Sequence, residues 1–143
     1  MTKVEMLAKL KTEFYSLLKG LGYNITDNAE YRENFPWLMV RTNGYQSINS
    51  FNLNVSGITL VLDIFSTYPG EKEIIEIVEN IGSHLDELRK VNPEILFCYQ
   101  KTMKILDDKP TGPVRKHGVV VYEFLMGYGV APIEEVPDVE PEN

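Results

Sequence analysis

The sequence predicts an α+β two-layer sandwich, with two helices on a sheet of about four mostly antiparallel strands in the order α-β-β-α-β-β. Three observations carry this reading. Residues 57–88 pass from an alternating apolar run through a Tyr-Pro-Gly turn into an amphipathic helix. Residues 3–19 show a second helical stripe. Residues 95–126 hold two further apolar runs on either side of a dense cluster of turn formers.

The N-terminal helix rests on Val4, Leu7, Leu10, Phe14, Leu17, Leu18 and Leu21, which recur at steps of three and four and leave Lys3, Lys9, Lys11 and Glu13 outside the stripe. Lys19 suits the negative end of the helix dipole, and Gly20 and Gly22 supply the stop. Residues 23–34 are polar and broken, and read as a loop. Asn24-Ile25-Thr26 matches a glycosylation acceptor, but no secretion signal accompanies it. Residues 35–40 (FPWLMV) form a short first strand, with Pro36 confined to its start and Trp37, the sole tryptophan, as an anchor for the core or an edge contact.

Residues 41–56 are rich in Asn, Ser and Gly yet carry Tyr45, Ile48, Phe51 and Leu53. Spaced aromatics in a polar segment fit an arm that orders against a partner; they fit equally a wide, partly paired strand connection whose aromatics tuck under the core. In the central strand, Ile58, Leu60, Leu62 and Ile64 share one face, and Thr59, Val61, Asp63 and Phe65 the other. Residues 67–70 end it, because proline brings no N–H to a ladder. Glu71 and Glu73 then favour a helix start, and Ile74, Ile77, Val78, Ile81, Leu85 and Leu88 form the buried stripe. Asn92-Pro93 closes the helix. Residues 95–106 and 119–126 are strands of a hairpin around the loop 107–118. Residues 1–130 make one domain, and residues 131–143, with three prolines and five acids, a disordered tail.

The net charge of the 143 residues is −7. Glu134, Glu135, Asp138, Glu140 and Glu142 supply five of the 21 acids, leaving 14 basic residues against 16 acidic ones in the rest, a net of −2. A near-neutral body is not a phosphate trap, which argues against nucleic-acid binding. No apolar run approaches the roughly 20 residues that span a bilayer, and the start lacks a signal-peptide core, so a chain that stays in the cell that makes it, away from membranes, is expected. Cys98, the single cysteine, excludes an intramolecular disulfide and reads as a strand filler.

Catalytic patterns are scarce. The histidines, His84 and His117, stand apart in sequence; there is no HExxH, no cysteine ligand pair, no EF-hand, no phosphate-binding glycine loop and no GxSxG elbow. Neither a metal nor another cofactor is expected. Asp107-Asp108 suits a solvated turn. Arg115-Lys116-His117 is a basic knuckle, either touching an acidic partner or pairing with Asp107-Asp108 across the hairpin mouth.

The succession of elements resembles the tail terminator, or tail completion, proteins of long-tailed bacteriophages, relatives of minor capsid and tail-joining families. The resemblance spans residues 3–130: the N-terminal helix, FPWLMV, the Asn/Ser-rich segment, ITLVLDIFSTYPGEKEIIEIVENI, and the hairpin ending in VVVYEFLMGYG. It implies a non-enzymatic virion protein, made in the host cytoplasm, that caps the tail tube at its final length as a ring, typically of six copies. Its partners are other copies of itself, the major tail tube protein and the head-completion connector, with DNA only passing through the channel. Under that reading Tyr45, Ile48, Phe51 and Leu53 are first candidates for partner contact, and Arg115, Lys116 and His117 second ones. A different class remains open, an intracellular α+β module that binds a small ligand or peptide on its sheet face, with Tyr99 or Tyr122 exposed there. Whether Asp63 and Glu123, polar residues in strands, face solvent or an interface is not legible from the pattern.

Overall fold

A computed structural model describes residues 2–27, 34–42, 48–50, 54–108 and 112–127. The elements run α1 (Lys3–Gly20), β1 (Asn24–Ile25), β2 (Trp37–Thr42), β3 (Ile48–Ser50), β4 (Val55–Ser66), α2 (Lys72–Gly82), α3 (Glu87–Val91), β5 (Ile95–Asp107) and β6 (Lys116–Gly127). The fold is α+β, with a mostly antiparallel sheet ordered β1-β2-β4-β6-β5. β3 pairs with β4 beyond the end of β2, and only the two-residue β1 runs parallel to its neighbour.

α1 starts where Thr2 Oγ1 accepts from the N–H of Glu5, the usual service of a hydroxyl to the unpaired amides of a first turn. It ends in a Schellman arrangement. The N–H of Gly22 donates to the Lys19 carbonyl and that of Tyr23 to the Leu18 carbonyl, with Gly22 at φ 93°. Only a residue without Cβ takes that left-handed angle cheaply. The buried line is Met6, Leu10, Phe14 and Leu18; Leu7, Leu17 and Leu21 flank it, and Val4 faces solvent. The stripe is thus turned from the expected one at its first turn, because a strict four-residue step from Phe14 back reaches Met6 rather than Val4.

β4 is the axis of the sheet. Ile58, Leu60, Leu62 and Ile64 point at the helices, together with Leu38 and Val40 of β2 and Val120, Tyr122, Phe124 and Met126 of β6. α2 brings Ile74, Ile77, Val78 and Ile81 down on them, and α1 brings Phe14, whose ring meets Tyr122 and Phe124 edge-on at 5.2 and 6.0 Å. The approach is closest at Gly118, where a Cβ would stand 2.7 Å from Ile74 Cγ2. Tyr122 is fully buried in this layer, so it is not the exposed sheet tyrosine that a ligand-binding face would have used.

The long second helix expected through Leu88 is divided. Gly82 lowers helix propensity, and the Asn80 carbonyl is taken by Ser83 Oγ at 2.7 Å and His84 Nδ1 at 2.8 Å. Residues 83–86 turn, and α3 resumes with Leu85 and Leu88 still buried. Asn92, 1% exposed, then ties the turn into β5 to α1: its Nδ2 donates to Glu13 Oε1 at 2.8 Å and its Oδ1 accepts from the N–H of Glu94.

Candidate functional site

Strand alternation leaves a second sheet face, and all helical core residues pack on the first. Register places on this second face Trp37, Met39 and Arg41 from β2, Thr59, Val61, Asp63 and Phe65 from β4, His117, Val119, Val121, Glu123 and Leu125 from β6, and Phe97, Tyr99, Thr102, Lys104 and Leu106 from β5. Among the described residues no helix covers it.

Two regions differ in character. On the β2 side, the directly paired Trp37, Phe65 and His117 form a three-ring stack across the strands, with centroids 4.2 and 4.4 Å apart and interplanar angles of 17° and 16°. Beside it lies Asp63, 2% exposed. Its Oδ2 accepts from Arg41 Nε at 2.6 Å and its Oδ1 faces His117 Nε2 at 2.8 Å, so Nε2 is the nitrogen that carries the proton. Burial alone would push the Asp63 carboxyl up; the hydrogen bonds from His117 and Arg41, with their charges, outweigh it and hold the group below its ordinary value. A buried carboxylate gripped by two donors fixes the strand positions of Arg41 and His117.

On the β5 side the face is open and apolar. Phe97, Tyr99 and Leu106 are 54, 38 and 47% exposed, and the Phe97 and Tyr99 rings lie 5.6 Å apart. Lys101 Nζ sits 3.3 Å from Glu123 Oε2.

The contact candidates read from the sequence fare differently. Tyr45, Phe51 and Leu53 lie outside the described residues. Ile48, in β3, is half-buried against the core beside Ile58, as a partly paired connection would place it. Lys116 and His117 belong to β6 rather than to a loop, because both hairpin strands run further than their apolar pattern. Lys116 pairs with Asp107 across the hairpin, which raises its amine's pKa, whereas Arg115 is exposed and its N–H donates to the Ser66 carbonyl at 2.8 Å. The structure therefore unites His117 with Asp63 and Arg41 and separates it from Arg115. The sequence signal for that cluster was one acid inside an apolar strand; its partners needed the register.

Two surface clefts flank α1. One, of about 350 Å³, is lined by Ala8, Lys11, Thr12, Tyr15 and Asp27. The other, of about 340 Å³, lies between α1 and α3, over Leu17, Leu88 and Val91. Among the described residues no group of three or more His, Cys, Asp or Glu is placed to hold a metal ion, and no helix is long and apolar enough to cross a membrane.

No protein-family model matches the chain, and no curated protein matches it. Among the solved structures, it is similar to the gp17 protein of bacteriophage SPP1. The two are 11% identical over 89% of this chain and 93% of that one, with a TM-score of 0.49.

Proposed function

We propose that this chain is the tail terminator of a long-tailed bacteriophage: it closes as a ring, of six copies on the family pattern, on the finished tail tube and presents the other side of the ring to the head connector. The observation that carries the reading is the uncovered β5–β6 face with Phe97, Tyr99 and Leu106 exposed, a surface suited to continuous protein contact. The order of elements quoted from the sequence supports the family. The role is non-enzymatic and needs no cofactor, and DNA passes through the ring without being read.

Residues 41–56, with Tyr45 and Phe51 as aromatic anchors, reach the tube protein or a neighbouring copy. Arg115, exposed just before β6, steers that encounter electrostatically. An antibody against this chain, applied to intact virions in the electron microscope, is expected to label the head–tail junction. Label along the whole tail, on the capsid alone, or on no particle overturns the assignment.

A further inference from the structure

A ring needs two unlike patches on every copy, because a self-complementary patch closes at two. Resting on the ring reading above, the β5–β6 face is one such patch, and the patch that meets it differs from it in character. The β5–β6 face is apolar and carries Lys104, which has no acidic partner among the described residues. The outer side of α2 has the opposite character. Ile75 is 40% exposed there, with the exposed Glu71 and Glu79 one turn away on either side; Lys72, the exposed base of this side, stands 3.8 Å from Glu76, and the last turn of the helix holds no basic residue.

β5 is also an edge strand, and an edge invites strand pairing. Here it is interrupted by register shifts between Ile95 and Phe97 and between Gln100 and Thr102, and it displays Lys101 and Lys104. Bulges and edge lysines are the features that keep sheets from joining edge to edge. The face, not the edge, is left as the contact.

We propose that the β5–β6 face of one copy seats the acidic outer side of α2 of the next, with Ile75 against Leu106 and Glu79 facing Lys104. Spacings agree: Ile75 and Glu79 stand about 6 Å apart along the helix, and Leu106 and Lys104 about 7 Å apart along the strand, so both contacts form together. The contact is heterologous and leaves each copy with one free face and one free helix until the ring closes.

The test uses the full chain with a photoreactive benzophenone amino acid in place of Leu106. Intermolecular products are expected to map to residues 72–82. Products that map elsewhere while rings form leave the ring reading standing and overturn this contact. In parallel, Lys104→Glu and Glu79→Lys are each expected to weaken self-association about tenfold or more, without loss of folding by circular dichroism. Mixing the two variants restores it, since alternating copies then match opposite charges at every junction. Failure of the mixture to assemble overturns the pairing of these two sites. A wild-type chain that is monomeric both at millimolar concentration and on virions removes the ring and the contact together.

Discussion

Replacing Asp63 by Asn keeps the side chain's volume and removes its charge. In the native protein both carboxylate oxygens accept, from Arg41 at 2.6 Å and from His117 at 2.8 Å, at a site 2% exposed. An amide offers one acceptor and turns an NH₂ toward the other donor, so one charge-assisted bond is lost outright and the other weakened. Each such bond contributes about 1.5–3 kcal/mol. Arg41, 44% exposed, recovers part of its hydration, which limits the loss. The expected cost of Asp63→Asn is about 2–3 kcal/mol at neutral pH, or a fall in Tm of roughly 6–15 °C for a chain of this length.

The same loss has a defined pH dependence. Because the folded pKa of Asp63 lies below its ordinary value of 3.8, the stabilisation is complete above that value and disappears as pH falls through the folded pKa. Urea unfolding of both proteins in acid should therefore give a difference that shrinks as the pH falls below about 4. A difference under about 0.5 kcal/mol at pH 7, or one that does not change in acid, would refute the idea that the ionised carboxylate organises this end of the sheet.

Other consequences are more local. Gly118→Ala puts a methyl 2.7 Å from Ile74 Cγ2 and should cost about 1–3 kcal/mol in urea unfolding; most of that penalty should vanish in an Ile74→Ala background, and an additive pair would show that α2 does not rest there. Tyr122→Phe deletes a buried hydroxyl that has no hydrogen-bond partner among the described residues, so stability should be unchanged or higher, whereas a loss above about 1 kcal/mol would reveal a bond to that oxygen. Burial, reinforced by Asp86 and partly opposed by Arg89, pushes the Cys98 thiol up, and iodoacetamide at pH 8 should alkylate it more slowly in the native protein than in urea; equal rates would contradict its half-buried position.

The class of fold was legible because its signals are periodic. The buried stripe of α2 and the inward face of β4 hold residue for residue, since burying six to eight large apolar side chains leaves little choice of face. Short elements carry no period, and for that reason Asn24–Ile25 inside a polar loop and Ile48–Ser50 inside an Asn-rich segment escaped as strands. Strand ends were legible only as far as their apolar residues: β5 and β6 run on through Asp107 and Lys116 because the ladder needs backbone partners, not hydrophobicity. The Asp63 cluster was hidden for a different reason. Arg41, Asp63 and His117 lie 22 and 54 positions apart, and alternation gives each strand its two faces without giving the strand order that brings them together. The exposed aromatics of β5 were equally ambiguous, since Phe97 and Tyr99 fit a buried strand as well as an open one.

The most direct measurement of the central claim is electron microscopy of particles from a phage whose copy of this gene is disrupted. The account predicts overlong tails without heads beside filled heads without tails, and both defects corrected when the wild-type chain is supplied in trans. Tails of normal length joined to heads would contradict it.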